Sequence, residues 1–101
     1  MKRYHIVILP AALNDIREAR DWYNEQQQGL GARFTKAIRA TVKRIAHYPY
    51  HYAVRYNQTR MAQLNVFPYL IHYYIDETQL SIVVIAILSA SRDPKLWKAR
   101  S

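Results

Sequence analysis

The feature that most constrains the fold is an apolar run near the carboxyl end of the chain, at residues 80–88. Nearly every side chain in this run is apolar, so a strand built from it buries both of its faces. Strict alternation places Leu80, Ile82, Val84, Ala86 and Leu88 on one face and Val83, Ile85 and Ile87 on the other. The run therefore predicts a central strand in a sheet that is covered on both sides.

The first half of the chain supplies a strand and two helices. Residues 4–9 are rich in β-branched side chains and stop at Pro10, which suits the first turn of a helix. Apolar side chains then recur at helical spacing over residues 11–27 and again over residues 30–47. The two patterns meet at residues 29–31, which hold both glycines of the chain and suit a turn. These patterns predict a helical hairpin.

Further strand patterns follow the second helix. Residues 53–56 suit a short strand, residues 60–67 alternate between apolar and polar side chains, and residues 69–75 precede a polar loop of hairpin type. The order β-α-α-β-β-β predicts an α+β fold, with the helical hairpin packed on one face of a mainly antiparallel sheet. We expect a single domain over residues 1–101, because a chain of this length buries one core.

The sheet face opposite the helices needs a cover of its own, because a bare apolar patch favours aggregation. The cover is the C-terminal tail at residues 91–101, a second copy of the chain or a partner protein. Asp93 and Pro94 suit the cap and first residue of a short C-terminal helical tail that carries Trp97. This tail either folds over the sheet or forms a mobile cationic end that binds a target.

The composition limits the kinds of partner and site. Fifteen Lys and Arg against seven Asp and Glu give a formal net charge of +8, which suits polyanions or an acidic protein as readily as simple solvation. The chain has no cysteine and its four histidines are scattered, so we expect no disulfide, no metal site and no cofactor. The apolar runs are too short to cross a membrane, and we expect a cytoplasmic protein with no membrane partner.

Cationic residues offer two candidate surfaces. The second helix carries Arg33, Lys36, Arg39, Lys43 and Arg44, which form either a solvated face or a docking face. Metal-free RNA cleavage needs a base, an acid and cations that stabilise the charge developing on the phosphate. Arg60, Arg92 and His72 would form that catalytic set if the chain were a nuclease. The nine tyrosines would suit base stacking, although packing in strands explains them better.

Several short motifs together resemble one known superfamily. They are Leu13-Asn14-Asp15-Ile16 with Trp22 and Tyr23, Gly31 with Phe34, Tyr48-Pro49, Phe67-Pro68-Tyr69, and Arg92-Asp93-Pro94 with Trp97. In these positions the chain resembles the ParE/RelE toxins of type II toxin-antitoxin modules, and it looks most like a ParE-type toxin. The resemblance implies the fold predicted above, growth arrest by the free toxin and neutralisation by a co-expressed antitoxin.

The resemblance also implies two alternative targets. ParE-type members poison DNA gyrase, whereas RelE-type members cut mRNA in the ribosome, and the two types share one fold. RelE-like nucleases generally carry a Tyr or a His-Tyr pair near the C-terminus, but this chain has neither after Ile87. We therefore favour gyrase inhibition by binding over the alternative, a ribosome-dependent mRNA endoribonuclease. A nucleic-acid-binding module without toxicity is a third interpretation.

The favoured interpretation assigns residues to two contacts. Those expected to contact the target or carry activity are Arg55, Arg60, Arg92, Trp97, Lys98 and Arg100. Those expected to face the antitoxin are Val83, Ile85, Ile87 and Trp97. The antitoxin should be acidic, because it would neutralise the +8 surface, and the two proteins should form a hetero-oligomeric complex.

Truncation after Pro94 tests the role of the tail, because it removes Trp97, Lys98 and Arg100. We expect the truncated chain to lose toxicity in a growth assay after induction, while circular dichroism shows that it still folds. Full toxicity in a folded truncated chain would contradict the assignment of these three residues.

Overall fold

The computed structural model describes residues 3–91, in which two helices pack on one face of a five-stranded sheet. The elements are β1 (His5–Ile8), α1 (Pro10–Gln26), α2 (Leu30–His47), β2 (Val54–Tyr56), β3 (Thr59–Gln63), β4 (Tyr69–Asp76) and β5 (Ser81–Ser89). The predicted order β-α-α-β-β-β is confirmed, and the short strand predicted over residues 53–56 is present as β2. The predicted helical tail, with Arg92, Trp97, Lys98 and Arg100, lies outside the described residues.

The sheet is mixed, with the strand order β1-β5-β4-β3-β2. β1 runs parallel to β5, and the other three neighbouring pairs are antiparallel. β5 therefore lies between β1 and β4, which confirms that the apolar run forms a central strand. No helix within residues 3–91 is both long enough and apolar enough to cross a membrane.

The helical hairpin depends on both glycines. Gly29 has a φ of 89°, a left-handed conformation that glycine adopts without steric cost, and it precedes the first residue of α2. Gly31 donates its N–H to Oδ1 of Asn24 at 2.8 Å. A Cβ atom at Gly31 would lie only 2.6 Å from the carbonyl oxygen of Arg20, so the close approach of α2 to α1 excludes any side chain there.

The main core lies between the helices and the sheet. Its buried members are Ala12, Ala19, Phe34, Ile38, Ile45, Ala62, Leu64, Phe67, Ile71, Tyr73, Ile82, Val84 and Ile87. Full burial of each large apolar side chain stabilises a fold by roughly 1.5–3 kcal/mol. Phe34 and Phe67 pack edge to face with ring centroids 5.3 Å apart, so the core joins α2 to the loop between β3 and β4.

A β-bulge in β5 changes which residues face this core. Tyr73 pairs with Val84 and His72 pairs with Ala86, so Ile85 is an extra residue between them. An extra residue reverses the alternation beyond it. Ile87 therefore faces the helices and is 1% exposed. Our prediction that Ile87 lies on the far face with Val83 and Ile85 was wrong for this reason.

The far face of β5 carries a second, smaller cluster of buried side chains: Val83, Ile85, Ala86 and Leu88. Val83 and Ile85 are only 7% and 5% exposed in the single chain. These side chains are therefore already buried without a second copy of the chain or a partner protein. That Val83 and Ile85 face an antitoxin stays a prediction, on a face that offers a partner little open apolar surface.

Asp15 connects α1 to the second half of β5. β1 ends at Ile8, opposite Val84, whereas β5 continues to Ser89 without a strand on that side. The backbone N–H of Ile87 donates to Oδ2 of Asp15 at 2.9 Å, and Asp15 is 8% exposed. A buried N–H needs an acceptor, and a carboxylate is a strong one. Asp15 thus supplies the hydrogen-bond acceptor that a neighbouring strand would otherwise provide for the Ile87 N–H.

The alternating pattern predicted a strand over residues 60–67, but β3 ends at Gln63. In the loop that follows, Val66 has a left-handed backbone conformation with a φ of 75°, which lies outside the range of a β-strand. A β-branched residue rarely adopts this conformation, so the alternating pattern contained no indication of it.

Replacement of Asp15 tests its contribution to stability. Asp15→Ala leaves the Ile87 N–H buried without this acceptor, and we expect the free energy of unfolding to fall by about 1.5–3 kcal/mol. Asp15→Asn keeps a carbonyl oxygen and should lose less. Urea unfolding followed by circular dichroism measures both changes. The exposed Asp21→Ala is the control, and an equal loss in Asp15→Ala and Asp21→Ala would contradict the role of Asp15.

Candidate functional site

Arg60 lies on β3 opposite Tyr73 of β4, on the side of the sheet that faces the helices, and it is half-buried. Its Nη1 donates to the carbonyl oxygen of Tyr52. Its guanidinium carbon lies 4.9 Å from the centroid of the Tyr50 ring, where the negative face of the ring attracts the cation. Arg60 is thereby fixed against the segment that joins α2 to β2.

Glu77 joins three segments around this arginine. From the loop between β4 and β5, its carboxylate accepts hydrogen bonds from the hydroxyl groups of Tyr4, at 3.0 and 3.1 Å, and of Tyr50. The hydrogen bond to Glu77 raises the pKa of Tyr50 to about 12, because a phenolate would lie against the carboxylate. Nearby, burial raises the pKa of Tyr73, whose hydroxyl donates to the carbonyl oxygen of Pro49 at 2.7 Å.

His72 lies on the opposite side of the sheet from Arg60. It neighbours Tyr73 on β4 and pairs with Ala86 of the far-face cluster, and its exposed fraction is 0%. Its Nδ1 lies 2.8 Å from the hydroxyl of Tyr56, with which it forms a hydrogen bond. His72 therefore belongs to the packed far face, and the sheet separates it from Arg60.

The remaining predicted site residues divide into two groups. Arg55 is exposed on β2, at the edge of the sheet. Arg92, Trp97, Lys98 and Arg100 lie outside the described residues. Within residues 3–91, the structure brings no two of the predicted activity residues into direct contact. Sequence reasoning missed the contacts of Arg60 with Tyr50 and of Tyr50 with Glu77, because they join separate segments of the chain that only the fold brings together.

The outer face of α2 forms a continuous cationic surface, made up of Arg33, Lys36, Arg39, Lys43 and Arg44, and all five side chains are exposed. α2 contains no Asp or Glu. At 3.6 residues per turn, the five positions fall within an arc of about 140°. This cationic face suits phosphate or carboxylate groups of a partner.

The described residues do not assemble a metal centre. In the part of the chain from 3 to 91, no three His, Asp or Glu side chains lie close enough to hold a metal ion. Polar contacts with defined geometry include the cluster of Tyr4, Tyr50, Arg60 and Glu77 and the pair of His72 and Tyr56.

Comparison with models of known protein families identifies the family to which this chain belongs. The model of the family described as "ParE toxin of type II toxin-antitoxin system, parDE" matches residues 6–94. The chain belongs to this ParE toxin family. The predicted resemblance is thereby confirmed, and the protein is a ParE-family toxin of a type II toxin-antitoxin system. A comparison with curated protein sequences found no match.

Solved structures share the fold of this ParE-family toxin at low sequence identity. One is from the chromosomal ParDE toxin-antitoxin system of P. aeruginosa, with 14% identity, a TM-score of 0.75, and coverage of 86% of this chain and 96% of that chain. Another is the intact E. coli RelBE toxin-antitoxin complex, with 16% identity, a TM-score of 0.68, and coverage of 88% and 99%. The isolated E. coli RelE toxin has 16% identity, a TM-score of 0.66, and coverage of 95% and 94%. Both ParE and RelE toxins thus share this fold.

The contact between Tyr50 and Glu77 predicts a distinct titration in the ParE-family toxin. The pKa of Tyr50 is raised from 10.0 to about 12, so this contact stabilises the fold fully below pH 10 and is lost as the pH rises through about 12. In a spectrophotometric titration of phenolate absorbance, Glu77→Gln should move one transition down towards 10. Tyr50→Phe, the control, should abolish that transition. An unchanged titration in Glu77→Gln would contradict the contact.

Proposed function

We propose that this ParE-family toxin arrests growth by binding DNA gyrase and trapping the enzyme with cleaved DNA. The trapped complex causes DNA damage and stops replication, in the cytoplasm where gyrase acts. The toxin works by binding and not by catalysis, and it needs no cofactor.

The observation that carries this proposal is the separation of Arg60 from His72. Attack by an RNA 2′-hydroxyl needs a base and a cation at the same phosphate. Here the sheet lies between the two side chains, His72 is fully buried, and Arg60 already contacts Tyr50 and Tyr52. Within residues 3–91, these two members of the predicted nuclease set do not converge on one site, which favours a binding mechanism.

Exposed cations supply the surface that such a mechanism needs. Arg55 lies on the edge strand, and the cationic face of α2 covers one side of the helical hairpin. Surface cations accelerate association with acidic targets and with DNA. Arg55, together with Arg92, Trp97, Lys98 and Arg100 beyond the described residues, remains our proposed set of target contacts.

We also propose an acidic antitoxin as the neutralising partner in a hetero-oligomeric complex. The P. aeruginosa and E. coli relatives come from a ParDE toxin-antitoxin system and a RelBE toxin-antitoxin complex. An acidic partner would neutralise the net charge of +8.

A gyrase assay tests the target. Purified toxin is added to gyrase, relaxed plasmid and ATP, with and without the antitoxin. We expect loss of supercoiling and accumulation of cleaved DNA, both reversed by the antitoxin. Arg55→Ala should weaken the inhibition, whereas Arg17→Ala, which removes an exposed arginine from α1, should not.

Cleavage of mRNA without any effect on gyrase would contradict the proposed target. If folded toxin leaves gyrase unaffected but cuts mRNA at defined positions in a ribosome-dependent translation reaction, the toxin is an endoribonuclease of the RelE type. Loss of that cutting in Arg60→Ala would then assign Arg60 to the nuclease site.

A further inference from the structure

In the loop between β3 and β4, Val66 has a strained backbone conformation and exposes its apolar side chain to solvent. The N–H of Phe67 donates to the carbonyl oxygen of Asn65 at 2.8 Å and closes a γ-turn around Val66. Val66 has a φ of 75° and is 87% exposed. A γ-turn of this hand is rare and strained, and a β-branched residue at its centre adds to the strain. Such strain concentrates at functional sites.

Val66 borders a preformed groove between this loop and α2. The groove has a volume of about 310 Å³, and its lining residues are Arg33, Lys36, Ala37, Ala40, Asn65, Val66 and Phe67. Phe67 is 6% exposed, and its ring packs edge to face against Phe34 and Tyr23 with centroids 5.3 and 4.9 Å apart. The main core therefore fixes the loop, and the groove exists before any partner binds.

The residues that line the groove determine which kind of ligand it can bind. Arg33 and Lys36 are exposed cations on a helix without acidic residues, whereas Ala37, Ala40 and Val66 are apolar. A DNA backbone would use the cations but would leave Val66 exposed to water. A peptide that combines carboxylates with an apolar side chain would match both kinds of group.

We propose that this groove binds an acidic segment of the antitoxin. Carboxylates of the segment pair with Arg33 and Lys36, and an apolar side chain packs against Val66 and Phe67. This assignment rests on the proposed antitoxin partner and adds the surface on which that partner binds. It also explains the exposure of Val66, since complex formation removes this side chain from water.

Calorimetric titration with the purified protein encoded by the gene adjoining the toxin gene tests the assignment. We expect Arg33→Glu/Lys36→Glu to weaken binding about tenfold or more. The matched control is Arg39→Glu/Lys43→Glu, which makes the same charge change on the same helix outside the groove and should weaken binding less than about threefold. Val66→Gly should also weaken binding about tenfold while raising the thermal unfolding midpoint of the free toxin, because glycine relieves the strain.

Four other results would each overturn the assignment of this groove to the antitoxin. Equal weakening by both charge variants means attraction by net charge alone. Unchanged binding in Val66→Gly and Arg33→Glu/Lys36→Glu means that the antitoxin binds elsewhere. Dimers of free wild-type toxin that dissociate in Arg33→Glu/Lys36→Glu mean that a second copy occupies the groove. Absence of any complex with wild-type toxin rejects the proposed antitoxin partner itself.

Discussion

The hydrogen bond from the Ile87 N–H to the Asp15 carboxylate is the contact on which the rest of the structure depends. β1 is too short to pair with all of β5, so part of a central strand would otherwise lack an acceptor. Asp15 supplies it from the second turn of α1 and fixes the helix against the strand. The contact positions the helical hairpin together with the main core, and it lies just beyond the bulge that turns Ile87 towards the helices.

Alternation along β3 and β4 separates the chemistry of the two faces. On the helix side, Arg60 and Glu77 belong to a network of tyrosines that ties the segment between α2 and β2 to the loop between β4 and β5. On the far side, His72 and Tyr56 form a packed pair. Both groups stabilise the scaffold, and the exposed cations of α2 and β2 remain available to partners. The proposed binding mechanism uses these cationic surfaces and leaves the two polar groups to the scaffold.

Local signals explain which parts of this structure were predictable. Helical spacing and two glycines indicated the hairpin, and an apolar run indicated the central strand. In a strand that is apolar on both faces, a bulge leaves no trace in the pattern, so Ile87 was assigned to the wrong face. Val66 resembled a strand residue because valine favours strands, and the γ-turn was missed. Residue types suggested Arg60 and His72 as site candidates, but only the sheet register revealed that they face opposite sides.

The lengths of the strands bear on how the toxin behaves alone. The two edge strands, β1 and β2, have only four and three residues, and the pairing of β2 with β3 is irregular. Arg55 adds an exposed charge to the β2 edge. Short, irregular and charged edges are poor templates for strands of other molecules. The edges at β1 and β2 therefore give the sheets of two toxin molecules little opportunity to join strand to strand.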